Sequence, residues 1–138
     1  MSRVIRVETA YRSRQRILQG MALALRFAAS REASAGDQPD LLAFLDLSLA
    51  ELRRSVDETA AAWEKRGYWL KADRFRQDWR WAERIGDSLH SAIESGDLDR
   101  ARASGMELAT PVHDVRLPAS LARARPWVGA WDRRNGSS

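Results

Sequence analysis

The sequence predicts an all-α protein: an antiparallel helical bundle of three longer helices plus one short helix, with an irregular C-terminal arm. Three observations carry this. Apolar residues recur at alternating steps of 3 and 4 through most of the chain, the repeat of one helical face and of a heptad-like bundle seam. Glycine-bearing breaks divide that repeat into segments. No stretch alternates with the period of two that a half-buried strand requires. Residues 1–110 are read as the bundle and 111–138 as the arm.

At 138 residues the chain has the length of a single domain that can bury a core without metals or disulfides. It has no cysteine, which excludes thiol nucleophiles, thiolate metal sites and a disulfide framework, and suits a reducing compartment. The longest apolar-rich run, Leu41 to Leu52, is interrupted by Asp46 and is shorter than the roughly twenty residues a bilayer span needs. The N-terminus lacks the apolar core of a secretory signal. The expected location is therefore cytoplasmic, with no membrane span. A net charge of +4 fits nucleic acid, acidic proteins or anionic surfaces equally and selects none of them.

The first helix starts between Ser2 and Thr9 and buries a stripe of Val4, Val7, Tyr11, Arg14, Leu18, Met21, Leu25 and Ala28. Arg14 is the charged member of that stripe, and is expected to snorkel at the bundle edge rather than lie buried and fix register. Gly36 reads as a left-handed terminator, Asp37 as the next N-cap, Pro39 as a first-turn proline, and Asp40 as a carboxylate facing the positive helix end. The second helix then buries Leu45, Leu49, Leu52, Val56, Thr59 and Trp63, its apolar face broadened near the start by Leu41, Leu42, Phe44 and Leu47.

Beyond Gly67 the stripe resumes at Tyr68, Ala72, Phe75, Trp79, Ala82, Gly86, Leu89 and Ile93. The five-residue step from Trp63 to Tyr68 rotates it by roughly 140° at about 100° per residue, which one straight helix cannot keep against a single partner. Gly67 is therefore read as the reversal of a helical hairpin, with one long kinked helix as the alternative. Gly96 ends the third helix, and Asp97 caps a short fourth one built on Leu98, Ala101, Gly105 and Leu108. In the arm, Ala119 to Arg125 can form one or two helical turns after Pro118, and the final Asn-Gly-Ser-Ser reads as a frayed end.

Signatures for phosphate loops, dinucleotide folds, nucleophile elbows and zinc proteases are missing. With only His90 and His113 for imidazole chemistry, the expectation is a protein that is not an enzyme and holds no cofactor. Glu83, Asp87, His90 and Glu94 share a helix face and resemble in spacing half of a carboxylate-bridged di-metal site, but no second Glu-x-x-His completes it. Their default reading is a solvated charged face.

The stretch Trp63 to Trp81 interleaves aromatic and basic residues. Trp69, Leu70, Trp81 and Ile85 fall off the main stripe, and a helical projection gathers Leu70, Trp81 and Ile85 on a second side. That side either packs on the fourth helix or the arm, or docks a partner or a second copy of the chain. In the arm, Arg123, Arg125, Trp127 and Trp131 combine the residue types that dominate interfaces, with packing of both tryptophans into the bundle as the alternative. The segment W-E-K-R-G-Y-W-L-K-A-D-R-F-R resembles small, uncharacterised all-helical proteins of cyanobacteria over about a quarter of the chain. The resemblance implies no activity and no functional residue.

The expected function is thus a non-catalytic interaction, scaffold or regulatory protein that binds a protein partner through Trp69, Arg76, Arg80, Trp81, Arg123, Arg125, Trp127 and Trp131. The runner-up is a basic helical nucleic-acid binder, and third comes a metal-dependent helical protein using Glu83, Asp87, His90 and Glu94.

Overall fold

A computed structural model describes residues 7–136, except for the side chains of Val7 and Glu8. Val4 of the first stripe and the terminal Ser137 and Ser138 lie outside the described residues. Within these described residues six α-helices follow in order: α1 (Val7–Ala28), α2 (Gln38–Lys65), α3 (Trp69–Asp78), α4 (Arg80–Glu94), α5 (Leu98–Met106) and α6 (Ala130–Asn135). Single 3-10 turns occupy Ala35–Asp37, Glu107–Ala109 and Ala119–Leu121. Among the described residues there is no strand, and no helix is long and apolar enough to cross a membrane.

The fold is organised around α2, which touches α1, α3, α4, α5 and α6. Its 28 residues span about 42 Å at 1.5 Å per residue, enough for different partners to share its length. α1 runs antiparallel to it, with Gly20 against Phe44 near one end and Arg14 against Thr59 near the other. α4 is also antiparallel, pairing His90 with Asp46 and Asp87 with Arg53. The core these helices enclose contains Met21, Leu49, Leu52, Ile85, Leu89 and Leu108, all fully buried. The alternating steps of 3 and 4 thus predict most of this core. Tyr11, Leu47 and Tyr68 depart from it and are exposed.

Gly67 is the reversal. Its φ of +84° lies in the left-handed region that a Cβ disfavours. Tyr68 N–H donates to Trp63 O and Gly67 N–H to Glu64 O, both at 3.0 Å, so the last carbonyls of α2 are satisfied by a Schellman ending. The same pair of bonds recurs at Gly96, with Asp97 N–H to Ala92 O and Gly96 N–H to Ile93 O. Asp97 Oδ1 then accepts from Arg100 N–H and caps α5. An added Cβ at Gly67 meets nothing within 4 Å, so Gly67→Ala isolates the backbone cost. It is expected to destabilise by about 1–2 kcal/mol with an unchanged fold, read by chemical denaturation. A loss near zero would mean that this backbone is not left-handed.

Gly36, by contrast, is no left-handed terminator: it sits inside the 3-10 turn Ala35–Asp37, and α1 has already ended at Ala28. Asp37 occupies the N-cap position of α2 without bonding its backbone. Its carboxylate turns back and accepts from Ser34 N–H at 2.9 Å.

The predicted third helix is two helices. At Trp79, with φ −106° and ψ 11°, the hydrogen bonds tighten to the i→i−3 pattern, Trp79 N–H to Arg76 O and Ala82 N–H to Trp79 O. The break lets Phe75 of α3 reach Trp63 at the end of α2, while Gly86 of α4 lies against Leu49 and Arg53 in its middle. No Gly or Pro marks the site, and the apolar stripe passes through it without a change of step.

Arg14 does not snorkel. It is 3 % exposed, and Nη1 donates to Thr59 Oγ1 at 2.9 Å and Ser55 Oγ at 3.2 Å. Its guanidinium faces the rings of Phe75 at 4.9 Å and Trp79 at 6.0 Å. Two hydroxyls on one face of α2 and two π-faces take the place of water, although Nε has no hydrogen-bond partner. Burial pushes the Arg14 pKa down from its ordinary value, as removal of a cation from water requires.

The arm packs on the bundle. Trp127 is 2 % exposed and belongs to the main core. Gln19 Nε2 donates to Arg116 O and holds the start of the arm on α1. α6 then runs alongside the first turns of α2, and Asp40 accepts from the N–H groups of Gly129 and Trp131 at 3.1 and 2.9 Å. Asp40, placed by the sequence at the start of α2, thus satisfies backbone donors at the start of α6. The helix extends to Asn135 before Gly136 turns left-handed, so Asn135 and Gly136 are not part of a frayed end.

Candidate functional site

The aromatic residues of Trp63 to Trp81 divide into an interior set and an exterior set. Inside, Trp63, Phe75, Trp79 and Trp81 form a chain of ring contacts with centroid separations of 4.9, 6.2 and 5.8 Å. This ladder lines the seam that α2, α3 and α4 share, with Arg14 filling one side of it. Outside, Tyr68, Trp69 and Leu70 are 56 %, 65 % and 63 % exposed at the tip of the α2–α3 hairpin. Their exposure follows from the turn: three consecutive residues at the start of a helix cover most of its circumference, and only one side of α3 meets α2.

The tip surrounds an open cleft of about 620 Å³, lined by Trp63, Tyr68, Trp69, Leu70, Arg74 and Phe75 among others. Lys71 Nζ lies 4.6 Å over the Trp63 ring, forming a cationic wall above an aromatic floor. Lys65, Arg66 and Arg74 are exposed near the same tip and have no carboxylate partner among the described residues. The surface is therefore an apolar centre whose border is basic apart from Asp78.

The sequence-selected residues do not form one surface. Trp69 belongs to the tip. Arg76 is committed internally, donating through both terminal nitrogens to Glu64 at 2.9 and 3.1 Å. That fork-shaped bond holds the Glu64 carboxyl below its ordinary pKa and raises that of Arg76. Arg80 is exposed. Trp81 is half-buried and lines a different cleft, formed with Ile85, Glu107 and Pro111. The second side projected from Leu70, Trp81 and Ile85 does not exist as a unit. The break at Trp79 separates exposed Leu70 from buried Ile85.

In the arm, Trp127 is core and Trp131 is half-buried against it, so neither is presented as a free anchor. Arg125 pairs with Glu32 at 2.7 Å, and its guanidinium lies 4.8 Å over the Phe27 ring. Arg123 is exposed.

Three of the four metal candidates are engaged with other side chains. Asp87 pairs with Arg53 at 2.9 Å. Glu94 accepts from Arg134 Nη2 at 2.8 Å, and His90 Nδ1 lies 3.2 Å from Asp46 Oδ2. Glu83 lines a small polar cleft with Arg53, Asp57 and Arg76. Among the described residues no group of three or more His, Asp or Glu side chains is arranged to hold a metal ion.

Sequence reasoning reached only Trp69 of the exposed tip, because it assigned Tyr68 to the core stripe and Leu70 to a second side. The available signal was the bulky run Tyr-Trp-Leu directly after a reversing glycine, which no single partner helix can cover. No protein-family model, characterised protein or solved structure matches the chain.

Proposed function

We propose that the chain is a cytoplasmic, non-catalytic interaction protein that docks a protein partner on the tip of the α2–α3 hairpin. The observation that carries this reading is the run of three large apolar side chains, Tyr68, Trp69 and Leu70, each more than half exposed beside an aromatic-floored cleft. Contiguous exposed apolar surface rimmed by polar groups is a mark of interaction sites, and tryptophan, tyrosine and arginine are the side chains that most often dominate binding energy. The border of Lys65, Arg66, Lys71 and Arg74 selects an acidic partner face that presents an apolar side chain to the cleft. The reading moves the contact surface away from the arm, whose tryptophans serve the core, and onto the hairpin.

The test is site-specific photocrosslinking in the native cell from position 69 and, as a control, from exposed position 128. A discrete adduct from position 69 alone, lost in a Leu70→Ser background with an unchanged melting temperature, is the expected result. Retention of a single-stranded RNA probe at low salt, weakening steeply as salt rises and unaffected by Leu70→Ser, would replace this reading with nucleic-acid binding. Equal crosslinking from positions 69 and 128 would remove the tip as the contact surface.

A further inference from the structure

A second cleft, remote in sequence from the hairpin tip, lies where the arm crosses the end of α1. It encloses about 670 Å³, within the range of small-molecule sites. Its apolar lining includes Leu23, Phe27, Leu117 and Trp127, with Phe27 and Trp127 in ring contact at 4.8 Å.

Three arginines open onto this cleft: Arg26 from α1, and Arg123 and Arg125 from the arm. Arg125 is pinned by Glu32 at 2.7 Å. Arg26 and Arg123 have no ion-pair partner among the described residues. Among the described residues Glu32 is the one carboxylate on the lining, so their charges leave two positive ones uncompensated in the cleft. The wall that carries Arg123 and Arg125 is a built one: Leu121 N–H donates to Pro118 O at 2.9 Å and Ala124 N–H to Leu121 O at 3.0 Å, fixing two successive turns between Pro118 and Pro126.

We infer that this cleft binds a small phosphomonoester, its phosphate dianion between Arg26 and Arg123 and its apolar or aromatic body against the Phe27 side of the floor. The charge of the ligand matches that of the cleft. Guanidinium groups present paired N–H donors in the geometry that phosphate oxygens accept. The apolar lining distinguishes an ester from free phosphate, because only the ester has a body that gains from leaving water.

Phenyl phosphate and AMP serve as probes, with inorganic phosphate, phenol and adenosine as controls, and binding is read from the indole N–H signals of the full chain by NMR. Both esters are expected to shift the Trp127 signal saturably, with inorganic phosphate at least tenfold weaker and the neutral compounds silent. Arg26→Gln combined with Arg123→Gln is expected to weaken both esters at least tenfold without changing the melt. Ala122→Glu, at an exposed position on the cleft lining, is an independent variant expected to have the same effect by adding negative charge. Three results would each overturn the inference: no saturable shift, undiminished binding in both variants, or equal binding of inorganic phosphate and phenyl phosphate.

Discussion

Trp127→Ala is expected to destabilise the protein by about 3–5 kcal/mol, the range for truncating a fully buried large aromatic side chain. Trp127 lies far along the chain, in a proline-bearing segment with no sustained period, yet it is as buried as the centre of α2. Its ring meets Phe27 of α1, and the loop around it is closed by Arg133, which donates to Val128 O at 2.9 Å and Pro126 O at 3.2 Å. The cavity left by truncation cannot be filled cheaply, because the backbone on its C-terminal side is held by Asp40 through Gly129 and Trp131. Urea unfolding measures the effect, with Val128→Ala as the control. Val128 is 62 % exposed, and its truncation is expected to change stability by no more than about 0.5 kcal/mol. If Trp127 were instead an anchor for a partner, the alanine variant would unfold at the wild-type midpoint and only binding would suffer.

The contrast between Trp127 and Trp69 shows what could be read from the sequence. Periodicity reports which residues share a helical face, so Leu45, Leu49, Leu52 and Val56 were legible as core and are buried. The reversal at Gly67 was legible too, because the stripe changes phase where a glycine stands. Periodicity does not report how far a partner helix extends, so Tyr68 satisfied the stripe yet projects beyond α2. Nor does it register a break that leaves the step unchanged, as at Trp79. Arg14 was misread because its compensation comes from Ser55 and Thr59, more than forty residues away, and from ring faces that no local pattern pairs with it. The arm was hardest, since its order depends on tertiary contacts to Asp40, Asp46 and Phe27.

Asp46→Ala is expected to cost about 3–5 kcal/mol, the penalty for breaking a buried ion pair by removing one member. Arg134 Nε donates to Asp46 Oδ2 at 2.6 Å, and the two side chains are only 7 % and 8 % exposed. Burial pulls the Arg134 pKa down, but the hydrogen bonds and charges of Asp46 and Glu94 outweigh it and leave the pKa raised. Even without Asp46 the guanidinium cannot escape by losing its proton, because an arginine side chain stays protonated in any protein setting. It must stay charged in a site built for a pair, or pull α6 away from α2. Glu94 is a poor substitute, since it is 61 % exposed and its bond to Arg134 is weakened by solvent. Glu94→Gln is accordingly expected to cost about 1 kcal/mol or less. The decisive comparison is the double variant Asp46→Leu with Arg134→Met. Replacing both members of a buried pair with apolar side chains is often neutral or stabilising, so it is expected to recover most of the stability that Asp46→Ala loses. A thermal-unfolding cycle over the single and double variants measures the coupling. A double variant as unstable as Asp46→Ala would show that α6 needs the ionic bond itself, and not merely a filled seam, to stay on the bundle.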